Sequence, residues 1–112
     1  MTVKDIVEKF GLKVYSGASG LGREVKGGYC SDLLSDVMGF AHEGSVLVTL
    51  QAHKNVMAIA SLKDLAAIVL VKGIKPEEET ADASEAEGIP VLGTSEQCFE
   101  FSGKLYDYIE GK

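Results

Sequence analysis

The chain has 112 residues, of which 46% are hydrophobic and 25% charged, a length and balance that match one globular domain with a single buried core. Its formal net charge is −6, from 11 basic and 17 acidic residues, and Arg23 is its one arginine. Binding to nucleic acid or to an anionic membrane surface needs clustered Lys and Arg, so this charge balance argues against both classes of partner.

The N-terminal part predicts a helix followed by two strands. Thr2 and Asp5 have the spacing of a capping box, and Gly11 offers a left-handed stop, so a helix is predicted between them. The predicted elements are a helix over residues 3–10, a strand over 12–15 and a strand over 25–30, with a glycine-containing loop between the strands.

A short helix that ends at Ala41 is predicted after the second strand. Ser31 or Asp32 is placed to cap it, because these side chains accept hydrogen bonds from the first free N–H groups of a helix. Asp36 lies four residues after Asp32, so the two carboxylates would share a helix face that could hold a metal ion. The preferred interpretation is that Asp32 caps the helix and that Asp36 is exposed or bonds to a backbone amide.

The middle of the chain predicts a strand, a helix and another strand. Residues 45–50 and 66–71 are continuous apolar runs of strand length, and a helix-like segment lies between them at 55–65. Strands that are apolar on both faces suit a parallel sheet covered on both sides. The predicted fold class is therefore α/β, with residues 1–112 forming one compact domain around a central, mostly parallel sheet with helices on both faces.

The last third predicts a helix, a short strand and a final helix. Pro76 suits a first helical position, and the acidic run over 77–87 favours a helix with a solvated face that ends at Gly88. A short strand follows over 89–92, and the last helix opens at Ser95. This helix carries the apolar residues Phe99, Leu105, Tyr108 and Ile109. The full order reads α, β, β, α, β, α, β, α, β, α.

Residues 17–22 contain three glycines, but their spacing does not fit a phosphate-binding loop. The segment is G-x-x-G-x-G, whereas a P-loop needs G-x-x-x-x-G-K-[ST] and a dinucleotide loop needs G-x-G-x-x-G between a strand and a helix. The segment is therefore predicted to be a turn.

Cys30 and Cys98 are far apart in the sequence and belong to no Cys-x-x-Cys or Cys/His pattern, so no metal site is predicted. Two partly buried free thiols in a reducing compartment are the preferred interpretation, and a disulfide is the alternative. No apolar stretch reaches the roughly 18 residues of a membrane span, and the first residues are charged where a signal peptide would be apolar. The chain is predicted to be cytoplasmic, with no membrane partner and no cofactor.

The most informative polar cluster follows the first apolar run. Thr49, His53 and Asn55 would lie at the carboxyl end of a parallel strand and at the start of the next helix, where open α/β sheets bind ligands. Together with Asp32 they are the predicted ligand-binding residues. In the other interpretation, Asn55 caps the helix and His53 is a surface loop residue. Neither His42 nor His53 has a partner at catalytic or metal-ligand spacing, so no catalytic residue is predicted.

Several segments, taken together, resemble the DRTGG domain family nearly from end to end. They are residues 2–6, 31–38, 44–51, 53–60, 66–71 and 88–92. The namesake pentapeptide Asp-Arg-Thr-Gly-Gly is absent, so no role tied to it is transferred. The resemblance implies a fold like the N-terminal domains of HPr kinase and of MurF-type ligases. The kinase activity is not implied, because the P-loop of HPr kinase lies in a different domain.

The resemblance also implies an accessory role, as in CBS-containing pyrophosphatases, phosphotransacetylase-like proteins and the free-standing copies that accompany iron hydrogenase gene sets in anaerobic bacteria. Two functions follow as hypotheses. The favoured one is a non-catalytic regulatory or protein-interaction module, a homodimer that senses a nucleotide or metabolite. The alternative is a small enzyme for a phosphorylated or nucleotide substrate, with Asp32, Asp36 or His53 as acid, base or metal ligand.

Overall fold

The computed structural model of the protein describes residues 1–111, which form an α/β domain. Their helices are α1 (Val3–Phe10), α2 (Leu34–Phe40), α3 (Asn55–Lys63), α4 (Glu78–Glu87) and α5 (Cys98–Glu110). Their strands are β1 (Lys13–Ser16), β2 (Gly27–Cys30), β3 (Ser45–Thr49), β4 (Ala67–Leu70) and β5 (Val91–Gly93). The predicted order of helices and strands is confirmed, and a short 3₁₀ turn at Ala18–Gly20 lies between β1 and β2.

The strands form one sheet in the order β1-β5-β4-β3-β2. Strands β2 to β5 are parallel, and β1 pairs with β5 in the antiparallel direction. The mostly parallel sheet is therefore confirmed. The carboxyl ends of β2, β3, β4 and β5 meet at one edge of the sheet, which is where the predicted ligand-binding residues follow their strands.

Helices cover both faces of the sheet, as predicted. Val46 and Val48 of β3 pack on the face that carries α1 and α5, and Leu47 packs on the face that carries α2 and α3. All three side chains are almost fully buried, which explains why β3 is a continuous apolar run and not an alternating one. On the α5 side, the rings of Phe10 and Phe101 pack edge to face, with 5.5 Å between the ring centroids.

The predicted signals at the ends of α1 and at the end of α4 are confirmed. Thr2 and Asp5 form the reciprocal capping box of α1. Gly11 and Gly88 end α1 and α4 in the left-handed conformation. The glutamates and the aspartate of the acidic segment are exposed, as a solvated helix face requires.

Several element boundaries differ from the prediction, and at two of them distant backbone groups take the hydrogen bonds. Strand β2 begins at Gly27 and not at residue 25, since the N–H of Val25 donates to the carbonyl of Met1 at 2.8 Å. Pro76 is not the first helical residue, since α4 has Glu77 as its N-cap. The N–H of Glu77 donates to the carbonyl of Ala52 at 3.1 Å, which holds the chain extended there.

Helix α5 also starts later than predicted, at Cys98 instead of Ser95. The carbonyl of Glu96 accepts a hydrogen bond from the N–H of Lys72 at 2.8 Å, and the carbonyl of Thr94 accepts one from the N–H of Gly73 at 2.9 Å. These bonds tie the segment after β5 to the loop after β4, so it turns before it can become helical. Within residues 1–111, no helix has the length and apolar character needed to cross a membrane.

Candidate functional site

Asp32 does not cap α2 but joins the ends of β2 and β3. Helix α2 has Leu33 as its N-cap and no side-chain cap, so the predicted cap by Ser31 or Asp32 is wrong. The Asp32 carboxylate instead accepts hydrogen bonds from the Thr49 hydroxyl at 2.9 Å and from the N–H of Leu50 at 2.7 Å. The carboxylate therefore provides the hydrogen-bond acceptor for two donors at the end of the neighbouring strand, which would otherwise lose a partner on folding.

Gln51 completes this cluster, although it is not among the predicted ligand-binding residues. Its N–H donates to the Thr49 hydroxyl at 3.1 Å, and its amide nitrogen donates to the carbonyl of Asp32 at 2.7 Å. Thr49 is 1% exposed, so its hydroxyl has no room for a further partner. The structure brings Asp32 and Thr49 together, and the bond between them fixes the shape of the edge.

His53 and Asn55 lie two and four residues after Gln51, at the start of α3. The predicted cap by Asn55 is wrong, because the N-cap is Lys54 and makes no side-chain cap bond. The N–H of Asn55 instead donates to Nδ1 of His53 at 3.2 Å. Both side chains are exposed, and the Lys54 ammonium pairs with Glu79 at 3.2 Å. This short segment presents imidazole and amide groups to solvent at the positive end of a helix.

Asp36 has a partner of its own, so it does not form a metal pair with Asp32. The Tyr29 hydroxyl donates to the Asp36 carboxylate at 2.7 Å, and this bond raises the pKa of Tyr29. In the part of the chain that the structure describes, no cluster of three or more His, Cys, Asp or Glu side chains has the arrangement of a metal site.

An open groove of about 950 Å³ lies between the edge strand β2 and helix α5. Its wall is mostly apolar, and it includes the exposed rings of Phe99 and Tyr106, which are 87% and 70% exposed. The sequence analysis missed this β2–α5 groove. The spacing of Phe99 and Tyr106, two helical turns apart, was the available signal, since it places two rings on one face of α5.

Gly28 gives the groove its floor. A Cβ atom at Gly28 would contact Leu105 at 3.7 Å and Ile109 at 3.9 Å, so the missing side chain leaves space between β2 and α5. Cys30 lies two residues further along β2 and therefore faces α5 as well. There it meets Cys98, with 2.8 Å between the two sulfur atoms. Both cysteines are free in this structure, with Cys30 exposed and Cys98 half-buried, and the sequence did not predict that they are neighbours.

The glycine loop forms a turn that packs against the end of α4. The N–H of Gly17 donates to the Glu85 carboxylate, and the N–H of Gly20 donates to the carbonyl of Gly17 at 2.9 Å. Arg23 donates through Nε to the carbonyl of Gly88 at 2.7 Å. These donors are satisfied within the chain, which agrees with the predicted turn.

No protein-family model matches the chain. Among curated proteins it is similar to the HPr kinase/phosphorylase of Geobacillus sp. (strain WCH70), with 27% identity over 124 residues. The similarity covers 97% of this chain and 40% of that protein. The chain therefore spans less than half of the relative, and the activity of the whole kinase does not transfer with it.

Among solved structures, the chain is similar to the CBS and DRTGG domains of the regulatory region of Clostridium perfringens pyrophosphatase, complexed with the activator diadenosine tetraphosphate. The TM-score is 0.74 with 13% sequence identity, and the match covers 98% of this chain and 46% of that one. The resemblance to the DRTGG domain family is thus confirmed at the level of the fold.

Proposed function

We propose that this chain is a non-catalytic regulatory domain of the cytoplasm, a homodimer that binds a small nucleotide-like ligand. The observation that carries the proposal is the β2–α5 groove, with its two exposed aromatic rings and a polar sheet edge beside it. Ligand sites are concave, mostly apolar and roughly 300–1,000 Å³ in volume, with a few polar groups that orient the ligand. The groove has about this volume and this lining.

Phe99 and Tyr106 suit the planar part of such a ligand, because aromatic rings stack on nucleobases with little dependence on base identity. The polar part would lie toward the loop after β3. Asp32 connects the two regions, since it follows Cys30 of the groove wall by two residues and bonds to Leu50 at the start of that loop. His53 and Asn55 would then contact the polar part of the ligand, while Asp32 and Thr49 hold the edge in place.

The hydrogen bonds of the candidate catalytic groups support a non-catalytic role. Asp32 is occupied by Thr49 and Leu50, Asp36 accepts from Tyr29, and His53 accepts from the backbone of Asn55. A general acid or base must reach the proton that it transfers, and each of these three groups is engaged by another part of the chain. The fold neighbour from a regulatory region, with its nucleotide activator, supports the same conclusion.

Ligand binding is expected to depend on Tyr106. The measurement is calorimetric titration of the full chain with AMP, ADP, ATP and diadenosine tetraphosphate, with native mass spectrometry to detect a retained complex. Tyr106→Ala should weaken binding about tenfold, because base stacking on a ring contributes about 1–3 kcal/mol per base. His53→Ala should also weaken binding if the polar part of the ligand lies at the start of α3.

Leu62→Ala is the matched control. Leu62 is also 70% exposed, but it lies on α3, which packs on the opposite face of the sheet, so this variant should bind like the unchanged chain. Binding of none of the four nucleotides, or an equal loss in Leu62→Ala and Tyr106→Ala, would contradict the proposed site.

The homodimer is proposed to form through the apolar surface of α2, with a second copy of the chain as the occupant. Met38 and Phe40 of α2 are exposed, and so is Leu33 at its N-cap. A twofold axis brings the same patch of two copies together, and these three side chains carry no charge, so they do not add to the repulsion between two copies with a net charge of −6. This surface leaves the groove open, since the groove lies at β2 and α5.

Phe40→Glu is therefore expected to produce a monomer at concentrations where the unchanged chain is dimeric. A carboxylate at the centre of an apolar contact should raise the dissociation constant about thirtyfold or more, the effect of losing a hot-spot residue. Sedimentation equilibrium and native mass spectrometry measure it. Phe99→Glu, at an even more exposed ring in the groove, should leave the dimer intact. A monomeric unchanged chain, or dissociation by Phe99→Glu alone, would refute this interface.

A further inference from the structure

Two cysteines that are far apart in the sequence meet at the end of the groove nearest the polar edge. Cys30 is the last residue of β2, and Cys98 is the first residue of α5. Their sulfur atoms are 2.8 Å apart, and Cys98 Sγ also lies 3.7 Å from the hydroxyl of Ser102. Two thiols in contact, carried by two different elements, form a dithiol pair and not a lone cysteine.

The position of the pair makes it reachable. Both cysteines contribute to the wall of the open groove, and Cys30 is exposed. Partial burial of the sulfur raises the pKa of the Cys30 thiol, and the hydrogen bond with Cys98 acts in the same direction. At neutral pH Cys30 is therefore mainly a thiol, and the small fraction present as thiolate is the species that reacts.

We propose that Cys30 and Cys98 form a reversible dithiol–disulfide site that links β2 to α5 across the end of the groove. The co-reactant is a low-molecular-weight disulfide. One cysteine loses its proton and its thiolate attacks the small disulfide, which gives a mixed disulfide and releases one small thiol. The second thiolate attacks the protein sulfur of the mixed disulfide and releases the second small thiol. Two electrons and two protons pass from the protein to the small disulfide, which becomes two thiols.

Bond formation needs little movement. A disulfide has a sulfur–sulfur distance of about 2.05 Å, so the two atoms need to approach by less than 1 Å from their positions here. Because Cys98 begins α5, the bond would anchor the first turn of this helix to the edge strand. The width of the groove at this end would then depend on the thiol–disulfide balance around the protein.

The test is a titration of the full chain with mixtures of glutathione and glutathione disulfide. At each ratio, acid quenching and alkylation of the remaining thiols are followed by intact mass measurement. The expected result is that both thiols disappear together, with a mass loss of two hydrogen atoms, no lasting glutathione adduct, and full recovery with reductant. An intramolecular second step outcompetes a second glutathione, because the neighbouring thiol is present at a high effective concentration.

The variants Cys30→Ser and Cys98→Ser separate this outcome from independent oxidation. Each should accumulate a mixed disulfide with one glutathione, which the unchanged chain should not. The proposal is overturned if both thiols of the unchanged chain remain free, and are therefore alkylated, at every ratio of glutathione to glutathione disulfide. It is equally overturned if each cysteine keeps its own glutathione, or if a disulfide forms between two chains. These outcomes are read from the unchanged chain, so they do not depend on how well a variant folds.

Discussion

Replacing Gly20 with alanine is expected to lower the free energy of unfolding by about 3 kcal/mol, the upper range for an added carbon that the surroundings cannot accept. A Cβ atom at Gly20 would overlap the carbonyl oxygen of Gly88 and lie 2.8 Å from Cδ of Pro90. The Gly88 carbonyl also accepts the hydrogen bond from Arg23 at 2.7 Å, so it cannot move away without losing that bond. Urea denaturation followed by circular dichroism measures the change.

Gly22→Ala is the control for this loop. Gly22 lies two residues further on, has no positive φ, and has open space where a Cβ atom would be. Its replacement should change the free energy of unfolding by less than about 0.5 kcal/mol, as is usual for a surface position. If both variants were equally unstable, loop flexibility would be the cause. If neither were, the close contact with Gly88 would not exist in solution, and the interpretation of the glycines as a packed turn would be wrong.

The second large effect is expected at Asp32. Asp32→Ala removes the acceptor for the Thr49 hydroxyl and for the N–H of Leu50, and Thr49 is only 1% exposed. Hydrogen bonds to a charged group contribute about 1.5–3 kcal/mol, and a buried donor without a partner adds its own penalty. The free energy of unfolding is therefore expected to fall by about 3 kcal/mol. Hydrogen exchange of the Leu50 amide should accelerate in parallel, because its acceptor is gone.

Asp36→Ala provides the comparison within the same segment. The Asp36 carboxylate accepts a hydrogen bond from the Tyr29 hydroxyl, and this hydroxyl sits on a half-buried side chain that can turn to water. For Asp36→Ala, the free energy of unfolding is expected to fall by about 1 kcal/mol. Equal losses at the two positions would mean that Asp32 does not hold the sheet edge. A stable Asp32→Ala variant that loses nucleotide binding would instead make Asp32 a direct ligand contact.

Local signals in the sequence were enough to predict most of the fold. The capping box of Thr2 and Asp5 and the glycines at 11 and 88 act within one or two helical turns, so their effect can be predicted without knowing the rest of the chain. The apolar runs that became β3 and β4 predicted a sheet covered on both sides, because only such a strand buries every side chain. The glycine spacing of the first loop likewise predicted a turn.

The sequence also indicated where polar groups would gather, but not what they would bond to. Asp32 and Thr49 were both singled out, yet Asp32 was assigned to the start of α2. A helix cap is a local bond, whereas the bond to Thr49 exists only because β2 and β3 lie side by side in parallel register. Asn55 is a different case, because its N–H donates to Nδ1 of His53 only two residues away while its side chain caps nothing.

By itself, the sequence determined the α/β class, the order of the elements, the parallel core and the edge where polar residues collect. Only the tertiary structure decided the features that depend on two distant segments meeting. These are the groove between β2 and α5, the contact of Cys30 with Cys98, and the packing of Gly20 against Gly88. The physical reason is that hydrophobic periodicity and capping act over a few residues, whereas a groove or a thiol pair depends on how whole elements are placed.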